Sequence, residues 1–353
     1  MIYFNAIALT FFAIAGIFIV YMVIYLIVAN ARRRTYKKWK NRADAMVSEV
    51  IFSEVATDTE EVIPLNNHTQ ILLQNKRFRK LINKEILLAK KNMSGVAAIF
   101  LQKFYYQLGL QEDVLHQLAS KKWHIKAKAI QDIGIMELRE YLTKVYRQTN
   151  HKNELVRMEA QLAVIRLTGF SGLRFLDVVS YQINDWQQIK LLNELSHLSS
   201  DNFTEIEKWI ASSNDSVVVF ALKLVKNFHR FELYEQVLTC LQQPNEKIRK
   251  HAYLALEKIY TDTTSKVLLT YYDTETADNK AVMIQVIQEI GDETDIAILL
   301  SLVETASVEQ QRTLVRAIAH LSSNGIPTLR MLPAGHHAPL KLIIDQIEEE
   351  ISA

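Results

Sequence analysis

The sequence predicts an all-α protein: an α-solenoid of stacked helical hairpins, period about 31, carried on an N-terminal transmembrane helix. Two observations predict it. The first is a row of apolar residues that returns every 30 or 31 positions: Ala129, Ala160, Leu191, Ala221, Ala252, Met283 and Leu314. Four residues after each stands Ile133, Val164, Leu195, Val225, Leu256, Ile287 or Ile318, and three further on Met136, Leu167, Leu198, Phe228, Ile259, Ile290 or Leu321. Offsets of four and three put each triplet on one helical face, and a period near 31 leaves room for a second helix and two turns. The second observation is an uncharged run at the N-terminus, Ala6 to Ala29.

Taken in chain order, residues 1–31 read as the transmembrane anchor. The 24 uncharged residues from Ala6 to Ala29 reach about 36 Å as a helix, against about 30 Å of hydrocarbon. All the positive charge follows the run, the reverse of a cleaved signal peptide, so the anchor is expected to be retained. Arg32, Arg33, Arg34, Lys37, Lys38, Lys40 and Arg42 come next with no acidic residue before Asp44. Positive flanks stay on the cytoplasmic side, which makes the chain a single-pass protein with its repeats in the cytoplasm, at a bacterial inner membrane. This flank is expected to contact anionic lipid, with Trp39 and nearby tyrosines at headgroup depth.

Residues 32–65 form a basic flank and tether, and residues 66–119 form N-terminal helical units. Within these, Lys76, Arg77, Arg79, Lys80, Lys84, Lys90 and Lys91 offer either a solvated helix face or a surface for anionic lipid or an acidic partner. The repeat array follows at 120–325, and 326–353 closes it with a capping helix. Asn153, Asn214 and Asn245 stand three residues before Val156, Val217 and Ile248, where a side chain can accept from a free amide at a helix start. Asp292, Glu293 and Asp295 read as helix-start residues for the same reason. With 9 Gly and 5 Pro in 353 residues, the chain has the composition of helices joined by short turns.

The strings Val156-Arg157-x-x-Ala160-x-x-Ala163-Val164-x-x-Leu167 and Ile248-Arg249-x-x-Ala252-x-x-Ala255-Leu256-x-x-Ile259 resemble the inner helix of short bacterial HEAT repeats, including those of phycobiliprotein lyases. Ile125-Lys126-x-x-Ala129 is a looser copy, while Gln187, Asn279 and Gln310 depart from the apolar first position. The resemblance covers roughly 120–325. It implies a HEAT-like, armadillo-like fold and, more loosely, a protein-binding scaffold. A bilin-lyase-like enzyme or enzyme subunit is the alternative it implies.

Net charge is +7 over 1–42, −6 over 43–75, +9 over 76–128 and −8 over 129–353, against +2 for the whole chain. The acidic distal array argues against a large phosphate footprint, so nucleic acid is not an expected partner. The lone Cys240 excludes an intrachain disulfide and is expected as a small buried hydrophobe. No glycine-rich phosphate loop, paired-histidine zinc motif or nucleophile elbow is present, and His336-His337 lacks a neighbouring third ligand. No catalytic residue, metal or cofactor is therefore expected.

If the three apolar columns face inward, positions one before and two and six after the first column face out along successive inner helices. The residues expected to bind a protein partner there are Lys128, Arg166, Lys190, His197, Phe220, Lys223, His251, Lys258, Arg316 and His320. The expected function is a membrane-tethered scaffold that positions partners, for instance in a membrane-associated biosynthetic system.

Overall fold

The computed structural model describes residues 2–52, 63–196, 198, 205–336 and 338–352, with the side chains of 2–13 and 352 excepted. Every regular element among them is helical. The chain divides into two compact units, Met1–Leu167 and Thr168–Ala353.

The first unit begins with α1 (Ile2–Ile51). Its Ile14–Ile51 portion is long and apolar enough to cross a membrane, with a window of mean hydropathy 2.4 that has no part buried in the fold. Large side chains such as Ile17, Phe18 and Leu26 stand exposed along it. The same helix then continues without a break into packed structure, where Ala43, Met46, Val47 and Val50 are buried. Residues 32–51, expected as a flank and tether, are thus a helical extension of the apolar segment; residues 53–62 lie outside the described residues.

After it come α2 (Asn67–Gln74), α3 (Lys76–Asn92), α4 (Gly95–Gln107), α5 (Leu110–Leu118), α6 (Trp123–Met136), α7 (Leu142–Tyr146) and α8 (Glu154–Thr168). α1 packs on α3 and α4, and α6 packs on α3 and α5. Two basic residues of α3 are consumed holding this together. Arg79 donates to the carbonyls of Leu108 and Gly109 at 3.1 and 2.9 Å and pairs with Asp113 at 2.7 Å, tying down the turn between α4 and α5. Lys90 is buried, donates to the Ala98 carbonyl and lies 3.5 Å from the Glu137 carboxylate. Gln102 of α4 donates to the carbonyls of Met136 and Glu137, satisfying the C-terminal end of α6. A Cβ at Gly134 would lie 2.9 Å from the Cβ of Ala163, so α6 and α8 approach at backbone distance there.

The second unit opens on a 3-10 segment, Gly169–Asp177, rather than an α-helix; Gly169 has φ +68° and breaks the path of α8. Then follow α9 (Asp185–Leu195), α10 (Ile206–Ile210), α11 (Asp215–Phe228), α12 (Tyr234–Thr239), α13 (Glu246–Leu256), α14 (Thr264–Thr270), α15 (Ala277–Ile290), α16 (Ile296–Thr305), α17 (Val308–Leu321), α18 (Gly325–Met331) and α19 (Leu340–Ser352). α10, α12, α14, α16 and α18 each pack on the helix that follows, while α11, α13, α15, α17 and α19 pack on one another in succession. The C-terminal region, expected as a capping helix, is a further hairpin of α18 and α19.

The first two apolar columns lie in the core at every repeat, none of the fourteen residues being more than 1% exposed. The third column is looser: Met136, Leu167 and Ile259 are buried, Phe228, Ile290 and Leu321 are half-buried, and Leu198 is exposed. The asparagines cap as expected, with Asn153 Oδ1 accepting from the Val156 amide, Asn214 from Ser216 and Asn245 from Lys247. Asp292 caps the 3-10 turn Glu293–Asp295. The arginine of the repeat motif has a shared role. Arg157 Nη1 donates to the carbonyls of His151 and Lys152, and Arg249 Nη1 to those of Gln243 and Pro244, each closing the turn before its own helix. The polar departures also have partners: Asn279 bridges to the Glu246 carbonyl and Glu275, and Gln310 forms a capping box with Ser307.

Candidate functional site

The positive charge expected at the outward positions is largely answered by the chain's own carboxylates. Lys223 pairs with Asp185 at 3.2 Å and donates to Gln188 Oε1 at 2.7 Å. Lys258 pairs with Glu257, Arg316 with Glu350 and Lys128 with Asp132, at 2.7, 2.7 and 2.8 Å. Lys190 lies over the Trp186 ring, 5.2 Å from its centroid. Arg166 is half-buried beside Gly134, His320 is exposed, and His197 lies outside the described residues. His251 is half-buried, and burial followed by the Lys223 charge pushes its imidazole down to about 4, so it is neutral near pH 7.

Phe220 corrects the expectation. It is fully buried, because α11 is apolar around most of its circumference and Val217, Val218, Val219, Leu222, Leu224 and Val225 are buried with it. Where the outward stripe does open into a depression, a groove of about 390 Å³ crosses α13, α15 and α17 and is lined by Leu254, Glu257, Gln285, Glu289, Thr313 and Arg316. Its charge is mixed rather than basic.

The residues expected as a membrane flank divide in two. Arg32, Arg33, Arg34, Lys37, Lys38 and Lys40 are exposed. Trp39 and Arg42, expected with them, turn into the fold. Trp39 packs edge-to-face on Phe78 of α3, and Arg42 donates to the Thr69 hydroxyl at 2.9 Å. The helical phase of α1 accounts for both, since the buried Ala43, Met46 and Val50 continue that face.

A more strongly charged depression lies in the same unit as α1. Lys76, Lys80, Lys84, Leu87 and Lys91 recur at steps of three and four along one stripe of α3, with Asn83 beside Lys84. Opposite them are His116 and Gln117 of α5 and Lys128, Asp132 and Ile135 of α6. Together they bound two adjoining grooves, of about 460 and 340 Å³, which share Lys80, Asn83 and Gln117. Asp132 forms the floor, 1% exposed, with Oδ1 facing the Lys128 ammonium and Oδ2 accepting from Asn83 at 3.4 Å. Burial raises its carboxyl, and the Lys128 ammonium opposes that rise. The α3 stripe was legible as a basic amphipathic face; the wall that makes it a groove comes from helices about 30 to 50 residues away.

Cys240 is buried, and burial pushes its thiol up to about 11, leaving it unreactive. Among the described residues no group of three or more His, Cys, Asp or Glu side chains stands together as a metal site; His336 is exposed, and His337 lies outside the described residues.

No family model matches the chain, and no curated protein matches it. Solved structures with some likeness include an engineered protein at TM-score 0.40 and 14% identity, covering 82% of this chain and 89% of that one. A second engineered protein has TM-score 0.30 at 14% identity, covering 61% of this chain and 97% of that one. A structure of tubulin recruitment and assembly by microtubule polymerases with TOG domain arrays has TM-score 0.29 at 10% identity, covering 79% and 78%.

Proposed function

We propose that this chain is a HEAT-like α-solenoid scaffold, fixed by a single transmembrane helix to the cytoplasmic face of a membrane, where it binds protein partners and holds them beside that membrane. One observation carries the reading: α1 runs from the exposed apolar segment directly into buried packing at Ala43, Met46, Val47 and Val50. A body held by a continuous helix keeps a defined position over the lipid, which suits positioning better than a flexible linker does. The 31-residue apolar period and the succession of inner helices packed on one another in the second unit support the solenoid assignment. The exposed arginines and lysines directly after the apolar run support the cytoplasmic orientation.

Crosslinking in native membranes, followed by mild detergent extraction and purification, tests the reading. The expected result is a partner recovered in fixed stoichiometry. Recovery of the chain alone after crosslinking overturns it. Reporter fusions at the C-terminus test orientation separately, with cytoplasmic activity expected.

A further inference from the structure

Four lysines of α3 stand along one stripe beside the groove: Lys76, Lys80, Lys84 and Lys91. None of these ammoniums forms an ion pair or side-chain hydrogen bond with any described residue. This sets them apart from their neighbours Arg79 and Lys90, whose charges are used inside the fold, and from the inner-helix cations answered by Asp185, Glu257 and Glu350. Cationic side chains without a carboxylate in contact sit along the rim, Lys91 acting on the buried Asp132 only through its field, while exposed Leu88 supplies apolar surface between them and the buried Leu87 and Ile135 line the base. Asp132, buried beneath, holds the Lys128 ammonium on the opposite wall.

We propose that this groove receives an acidic amphipathic helix from a partner protein. The inference rests on the scaffold reading above and names the chemistry of what is bound. Length and layout both favour a helix. From Lys76 to Lys91 the stripe extends about 22 Å, close to four turns, and the ammoniums are spread along it instead of converging on one point. A phosphate headgroup calls for convergent donors, whereas a helix offers carboxylates one turn apart on either side of an apolar seam. The apolar seam seats against Leu88, above Leu87 and Ile135 at the base of the groove, and the carboxylates meet the lysines of the rim. Burial of the seam contributes affinity, and the charges contribute orientation and a salt-dependent on-rate.

The test uses the full chain in nanodiscs of neutral lipid. The probe is a fluorescent peptide of about 15 residues, with leucines at helical spacing flanked by glutamates. Fluorescence anisotropy is expected to show saturable binding that weakens with salt. The double variant Lys80→Glu, Lys84→Glu is expected to weaken it about tenfold, and Leu88→Asp by a similar factor. All three positions are exposed, so circular dichroism should show unchanged helicity and melting. A peptide with lysine in place of glutamate should not bind. Absence of saturable binding, or binding that is equal in the variants, overturns the proposal. So does complete displacement of the peptide by phosphatidylglycerol in the disc, which would assign the groove to headgroups. Failure of the peptide while crosslinking still recovers a stoichiometric partner removes the groove assignment alone and leaves the scaffold reading standing.

Discussion

Trp39 of the anchor helix meets Phe78 of α3 edge to face, with ring centroids 6.2 Å apart and ring planes at 74°. The pair joins the helix whose N-terminal part is long and apolar enough to cross a membrane to the helix that carries the basic groove. Edge-to-face aromatic pairs contribute about 1 kcal/mol beyond their burial, and here that contribution couples the position of α3 to α1. Phe78 is fully buried, whereas Trp39 is half-buried. Phe78→Ala should therefore destabilise the first unit by about 3–5 kcal/mol, and Trp39→Ala by less. Urea unfolding of the detergent-solubilised chain reads the difference. Equal, negligible losses in both variants would mean that the anchor and α3 are not coupled through this contact.

Gly134 supplies a second test. Its missing side chain lets α6 lie close against Ala163 of α8, where an added Cβ would stand 2.9 Å from the Ala163 Cβ, closer than side chains pack, and 3.0 Å from its Cα. Gly134→Leu should force the two helices apart, costing about 1–3 kcal/mol or more. Gly16, in the exposed apolar part of α1, has nothing within 4 Å, and Gly16→Leu serves as the control with no loss. A Gly134→Leu chain that melts with the parent would show that α6 and α8 pack less closely than described.

The legibility of this chain follows from what a helix period encodes. The first two apolar columns fix the inner helices because every repeat buries both, down to Met283 and Ile287 in a stretch whose motif has lost its apolar first position. The third column sits at the ends of those helices, where the short outer helices give less cover, and Leu198 reaches 37% exposure. Surface charge was less legible. Lys223 and Asp185 are 38 residues apart, and Arg316 and Glu350 are 34 apart, so counting cations along one stripe finds the lysines and misses the acids that answer them. Phe220 carried a readable warning: Val217–Val225 is apolar on every side but Lys223, the mark of a helix covered all round. The groove beside α3 needed coordinates, since its two walls come from different helices.

Glu275 should give the second unit a measurable acid sensitivity. It sits just before α15 and ties that helix to α13. Arg249 holds it through two contacts, Nη2 to Oε2 at 3.1 Å and a shorter one from Nε, and the Tyr253 hydroxyl donates to Oε1 at 2.7 Å. Asn279 and the Thr276 amide each donate to Oε2 at 3.1 Å. Burial by itself raises the carboxyl, but these donors outweigh it and bring it from 4.5 down to about 2. A depressed folded value means the ionised carboxylate favours the folded state above pH 4.5, and this contribution is lost as pH falls from 4.5 toward 2. Glu275→Gln should cost about 2 kcal/mol at pH 7 and flatten the loss between pH 5 and about 3. A variant whose stability falls with acid as steeply as the parent's places the sensitivity elsewhere.

His251 should add a separate loss at milder acidity. On α13 it faces Lys223 and Lys226 of α11 and Asp185 of α9, with Lys250 beside it on its own helix. Burial is the largest influence and the three lysine charges act with it, while Asp185 opposes them; the result is a value near 4 against 6.5 for a free imidazole. Because the fold favours the neutral ring, its stabilising contribution is complete above pH 6.5 and declines as pH falls toward 4. Proton NMR of the ring should show no titration between pH 5.5 and 8, and His251→Gln should remove that part of the pH dependence of unfolding. A midpoint near 6.5 for His251 would mean that water reaches the ring, and that the inner face of α13 is more open than its neighbours α11 and α15 allow.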